Sequence, residues 1–225
     1  MKKIYGEGVV SMLPSSRGFV FTTLQTESEN DTKGVVSFRQ YNFDTGKTEL
    51  MTKSVYLLHK FGNQYESFIA GVEDYVYCRT VQLPDARMLL VHIDGNACLL
   101  AADGTVKWEG SLKYKGFAPS DTIGDGDAIW CAYPESNAVI KYGVKLMRQE
   151  FRISTGASGG ILEPTGLYQS GDSLVMTSGA DGVIKSIDLD DFHVETIAEF
   201  GEPVYQYLKI DSNEIVHAKS GIYRL

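Results

Sequence analysis

The C-terminal half of this chain repeats itself. Pro119 is followed by Gly126-Asp127 and then by Ile129-Trp130-Cys131-Ala132. Pro164 is followed, at the same spacing, by Gly171-Asp172 and Leu174-Val175-Met176-Thr177. After Pro203 the pattern recurs with a small slip, as Asp211-Ser212-Asn213 and Ile215-Val216-His217-Ala218. Each copy runs on into a third apolar element, at Ala138-Val139-Ile140, Gly182-Val183-Ile184 and Gly221-Ile222-Tyr223. Short apolar runs split by Gly/Asp turns, recurring about every 40 residues, describe four-stranded sheets repeated radially.

Extending the repeat backward gives two more copies. Pro84-Asp85-Ala86-Arg87 leads into Met88-Leu89-Leu90-Val91, and Pro14-Ser15-Ser16-Arg17-Gly18 leads into Phe19-Val20-Phe21. Helical periodicity is nearly absent, because apolar runs are short and bounded by Gly, Asp, Asn and Pro. The last copy stops at Leu225 inside its third strand, and Lys3-Ile4-Tyr5 is positioned to supply the missing fourth. Such closure removes open sheet edges. The expectation is an all-β, five-bladed β-propeller of four-stranded antiparallel blades, its ring closed by the N-terminal strand. It forms one domain over 1–225, with blades near 6–60, 61–115, 116–158, 159–200 and 201–225 plus 1–5.

Pro164-Thr165-Gly166-Leu167, Gly171-Asp172, Leu174-Val175, Gly182-Val183-Ile184 and Ile187-Asp188 together resemble an NHL or YVTN-type propeller repeat. The resemblance covers residues 115–225 well and 1–114 loosely. It implies a propeller and carries no functional residues, since such repeats serve enzymes, scaffolds and binding proteins alike.

A net charge of −8 argues against nucleic acid and anionic membrane surfaces, which need clustered Lys and Arg. No stretch approaches a membrane span. Cys78, Cys98 and Cys131 are odd in number, form no CxxC pair and sit in apolar runs. They read as buried free thiols in a reducing compartment, so a cytoplasmic protein is expected.

Several motifs look chemical and have structural readings. Gly156-Ala157-Ser158-Gly159-Gly160 fits a nucleophile elbow but lacks the following helix, so a blade-to-blade loop is expected. Thr45-Gly46-Lys47-Thr48 ends like a phosphate-binding loop without its earlier glycine and reads as a strand-to-strand turn. Asp121, Asp125 and Asp127 have a spacing that calcium ligands use, but Gly126-Asp127 aligns with the hairpin turn Gly171-Asp172. Neither a metal nor a cofactor is expected.

The functional signal is positional. Loops at one mouth of a propeller channel would carry Tyr5, Glu7, Tyr65, Tyr114, Asp121, Tyr133, Glu163, Tyr205 and Tyr207. A face of tyrosines and carboxylates suits a small polar ligand or a partner protein. The leading expectation is a non-catalytic binding module. The alternative is a glycosidase-like hydrolase with a carboxylate pair drawn from Glu7, Asp121 and Glu163.

Overall fold

The computed structural model describes residues 1–6, 8–26, 33–57, 59–61, 64–66, 78–154, 160 and 162–225. The repeat folds into antiparallel four-stranded sheets, five in all, and the chain is an all-β, five-bladed β-propeller. Its residues divide into two compact units, 1–76 with 208–225, and 77–207.

The first unit opens with β1 (Lys2–Tyr5), followed by β2 (Val9–Ser15), β3 (Gly18–Thr26), β4 (Lys33–Asn42) and β5 (Lys47–Leu57). Strands β2 to β5 pair in chain order as one blade. Phe19 and Phe21, two apart on β3, project to one face and are buried there. Phe19 packs against Tyr41 with ring centroids 5.3 Å apart, and Tyr5 meets Phe21 edge-on at 4.7 Å. The motif at Thr45–Thr48 is the β4–β5 turn. Asn42 Oδ1 accepts the amides of Asp44 (2.8 Å) and Thr45 (3.2 Å), closing it. A short hairpin follows, β6 (His59–Phe61) with β7 (Gln64–Glu66).

The second unit holds three blades. One contains β8 (Cys78–Gln82), β9 (Met88–His92), β10 (Asn96–Leu100) and β11 (Val106–Ser111). The next contains β12 (Asp121–Asp125), β13 (Ala128–Tyr133), β14 (Ala138–Gly143) and β15 (Arg148–Ser154). The third contains β16 (Pro164–Ser170), β17 (Ser173–Ser178), β18 (Val183–Asp188) and β19 (Val194–Glu199). Strand β13 is buried on both faces along its whole length. Ile129, Cys131 and Tyr133 join a cluster with Leu89, Val91 and Leu99; Trp130 and Ala132 join another with Leu167, Leu174 and Met176. Burial on both faces is why such strands read as unbroken apolar runs rather than alternating ones.

The last sheet runs β20 (Val204–Ile210), β21 (Asn213–Ala218), β22 (Gly221–Arg224) and then β1. The N-terminal strand therefore completes the final blade, with Lys3 opposite Tyr223 and Lys2 opposite Arg224. Two further observations mark β1 as an equivalent of the other outer strands. Every outer ladder carries a one-residue bulge on its outer strand, at Met51, Lys107, Glu150 and Ile197, and β1 carries one at Ile4. The second concerns the glycine that opens a third strand. A Cβ on Gly182 (φ +67°) would lie 2.1 Å from the Glu202 carbonyl oxygen, and one on Gly221 (φ +141°) would lie 2.1 Å from that of Tyr5. In both places the incoming backbone is too close for any side chain. Bulges at the rim strengthen twist and turn exposed edges away from further pairing.

Antiparallel pairing puts the start of the first strand, the second-to-third turn and the end of the fourth strand on one edge of each blade. We call this the connector end, because the blade-to-blade segments run there.

Candidate functional site

At the connector end of the 77–207 unit, consecutive inner strands are stapled by side chains. Asp121, at the start of β12, is buried; its carboxylate pairs with Arg79 of β8 and accepts the Leu167 amide of β16 at 2.8 Å. It also accepts the Thr122 amide at 2.9 Å. Ser120 Oγ donates to the Thr165 carbonyl at 3.0 Å, and Thr165 Oγ1 donates to the Val204 carbonyl at 2.5 Å. One polar chain thus runs from β8 through β12 and β16 to β20. In such a site each buried polar group needs a partner, and these groups find theirs in the neighbouring blade.

Above this base the β11–β12 connector folds into a knuckle. Tyr114 and Phe117 exchange backbone hydrogen bonds of 2.9 and 3.0 Å. Lys115 (φ +51°) and Gly116 (φ +91°) occupy the two central positions, which makes the turn a type I′ hairpin. The Tyr114 ring packs on Tyr133 at 5.5 Å, its hydroxyl accepts Arg152 Nη1 at 3.0 Å, and Lys115 Nζ lies 5.4 Å from its centroid. Phe117 projects into solvent, 45 % exposed. The next connector is anchored as well. Asn137, in the left-handed conformation that asparagine tolerates, accepts the Glu163 amide on its Oδ1 at 2.8 Å.

The structure sorts the residues expected at a channel mouth. Tyr114, Glu163 and Tyr205 all lie at the connector end of the 77–207 unit and reach solvent; Tyr205, near the start of β20, is 40 % exposed. Asp121 is there too, but its carboxylate is taken up by the staple. Tyr133 and Tyr207 are correctly placed in the chain and wrongly assigned to a surface, because both side chains are buried. Tyr133 donates its hydroxyl proton to the Leu112 carbonyl, and burial raises its pKa well above the usual phenol range. Tyr207 packs edge-on against Tyr168 at 5.5 Å. Tyr5 belongs to the other unit, on β1 rather than in a loop, under the guanidinium of Arg39 at 5.5 Å. Tyr65 is a strand residue of β7, paired with Lys60, and Glu7 lies outside the described residues.

The aspartates with calcium-like spacing part company. Asp121 pairs with Arg79, Asp127 with Arg87, and Asp125 with Lys141, so each carboxylate answers a different cation. Burial disfavours ionisation of Asp125. Bonds from Lys141, Gln169 and Trp130 outweigh it and hold the pKa below the ordinary value. Among the described residues no group of His, Cys, Asp and Glu is arranged to hold a metal. The Gly156–Gly160 motif and the Asn30 sequon fall almost wholly outside the described residues. Cys131 is buried and its thiol is pushed up to about 12 by that burial, whereas Cys98 is only half-buried.

Sequence reasoning missed Arg79, Arg152 and the Lys115–Phe117 knuckle. A type I′ signal was present in Lys115-Gly116, but no rule of spacing links Arg152 to Tyr114 or Arg79 to Asp121. No family model and no curated protein matches this chain. Solved structures of β-propellers do. Virginiamycin B lyase from Staphylococcus aureus superposes with a TM-score of 0.60 at 9 % identity, over 99 % of this chain and 96 % of that one. Sqt1 from Saccharomyces cerevisiae gives 0.55 at 10 % identity, over 96 % of this chain and 72 % of that one. At such identities the likeness is one of fold. No helix among the described residues is long and apolar enough to cross a membrane.

Proposed function

We propose that this chain is a non-catalytic binding module that engages a partner protein or a small polar ligand at the connector end of its 77–207 unit. The observation that carries this reading is the braced knuckle. Tyr114 is held by Tyr133 and Arg152, and Lys115 and Phe117 are presented at its tip and base. Rigid display of an exposed aromatic beside fixed cations limits the entropy lost on binding. Glu163 and Tyr205 supply an acid and a second aromatic at the same end.

The hydrolase alternative is weakened by Asp121. A general acid or nucleophile needs a carboxylate free to meet substrate, and this one accepts two backbone amides and an arginine. Virginiamycin B lyase shows by its name that a propeller of similar fold can be an enzyme; the described residues here provide no equivalent arrangement of free acids.

The test is a thermal-shift screen of polar metabolites together with affinity capture of protein partners, followed by calorimetric titration of variants. Phe117→Ala and Tyr205→Ala should each weaken binding by about 1–3 kcal/mol. Asp172→Ala, in the turn at the opposite end of its blade, should leave it unchanged. If only Asp172→Ala weakens binding, the proposed end is the wrong one.

A further inference from the structure

At the opposite end of the 77–207 unit, two exposed phenylalanines form a platform that the proposed binding site does not use. Phe151 of β15 and Phe192 of the β18–β19 turn stack with centroids 4.9 Å apart and planes 17° from parallel. They are 38 % and 47 % exposed, and Leu146 and Val194 on the same two hairpins are also exposed. Neither ring is loosely held. Phe151 is backed edge-on by Trp130 at 6.3 Å, and Trp130 Nε1 donates to Asp125 at 3.1 Å. Phe192 sits at φ +61°, a conformation unusual for a bulky residue. Its turn is locked around it. The Asp188 carboxylate accepts the amide of Asp190 at 2.8 Å, and the Asp191 carboxylate accepts that of His193 at 2.8 Å.

The charges beside the platform are divided. On the β14–β15 hairpin the exposed charged residues leading up to Phe151 include Lys145 and Arg148; on the β18–β19 hairpin those around Phe192 are Asp190, Asp191 and Glu195. A uniformly cationic partner would be repelled by the first hairpin, and a uniformly acidic one by the second. A surface that is basic on one side and acidic on the other matches both, and a second copy of this chain rotated by a two-fold axis through the platform has that pattern. Each basic hairpin then faces the partner's acidic one across four phenylalanines, as an isologous interface requires. We infer that this platform is a homodimer contact, with a second copy of the chain as its occupant. The apolar area is small beside that of obligate dimers, so the association is weak, reversible and sensitive to salt.

Sedimentation velocity on the full chain over a range of concentrations, at low and high salt, reads this directly. The expected result is a monomer–dimer equilibrium that shifts toward monomer as salt rises. Phe192→Gly removes the ring and suits the left-handed backbone; it should weaken the dimer at least about tenfold without loss of fold. Lys145→Glu/Arg148→Glu and Asp190→Lys/Glu195→Lys should each be monomeric alone, and mixing them should restore a heterodimer detectable by native mass spectrometry. Circular dichroism confirms that each variant is folded. Monomer at all concentrations, or a dimer indifferent to these substitutions, or charge-reversed variants that do not rescue one another would each overturn the inference.

Discussion

Replacing Asp121 with alanine should be among the most damaging single changes in the 77–207 unit. Its carboxylate accepts the Leu167 amide across the blade seam at 2.8 Å and the Thr122 amide at 2.9 Å, and it pairs with Arg79. Alanine leaves the seam amides without an acceptor. A buried donor stripped of its partner costs about 1–3 kcal/mol. Arg79 adds little, because its side chain is 53 % exposed and water replaces the lost ion pair. The expected loss for Asp121→Ala is roughly 3 kcal/mol, or a drop in Tm of about 6–12 °C for a chain of this size. Asp121→Asn keeps an acceptor for Leu167 and should lose less. Arg79→Ala should lose under about 1 kcal/mol. Calorimetry ranks the three variants, and hydrogen exchange should show the Leu167 amide opening in Asp121→Ala alone. If Asp121→Ala costs no more than Arg79→Ala, the inter-blade staple is not what this carboxylate provides.

Three other outcomes follow from the same structure. Deleting residues 1–6 removes the outer strand of the last blade and exposes the β22 edge, so Tm should fall by several degrees and light scattering should rise; an unchanged melt refutes the closure. In the native protein a bulky thiol reagent should label half-buried Cys98 at least about a hundredfold faster than Cys131, whose thiol is pushed up to about 12; equal rates refute this. His217 is buried and its pKa is lowered to about 4 by that burial, from an ordinary 6.5. The unfolded chain therefore binds the extra proton first, and stability falls as pH drops from 6.5 toward 4, by up to about 3 kcal/mol. His217→Met should lack that component, and a variant with the same acid sensitivity as the parent counts against it.

The strands and their order were legible because burial on both faces leaves unbroken apolar runs such as Ile129–Ala132, and because Gly126-Asp127 and Gly171-Asp172 punctuate them identically. The third-strand glycines were visible as letters, but their reason lies in backbone that arrives from elsewhere in the chain, Glu202 for Gly182 and Tyr5 for Gly221. The outer-strand bulges leave no mark in the sequence, since residues as different as Met51, Lys107 and Glu150 occupy the extra position.

The candidate site was legible only in part. Tyr133 stands beside Pro134 and looked like a loop residue, yet it continues the two-residue alternation of Ile129 and Cys131 and points into the same cluster. Tyr207 is likewise packed within its sheet. Asp121 looked like a catalytic acid because its partners, Arg79 and Leu167, lie some forty residues away on either side. Hydrogen-bond partners at that range are set by blade packing, which spacing along one repeat does not encode.

The proposal that binding occurs at the connector end is tested most directly by amide chemical-shift mapping. Isotope-labelled protein is titrated with whichever metabolite or partner segment the screen recovers. The account predicts perturbations concentrated at Tyr114–Phe117, Glu163 and Tyr205. Perturbations concentrated instead at the Gly126-Asp127 and Gly171-Asp172 turns would contradict it.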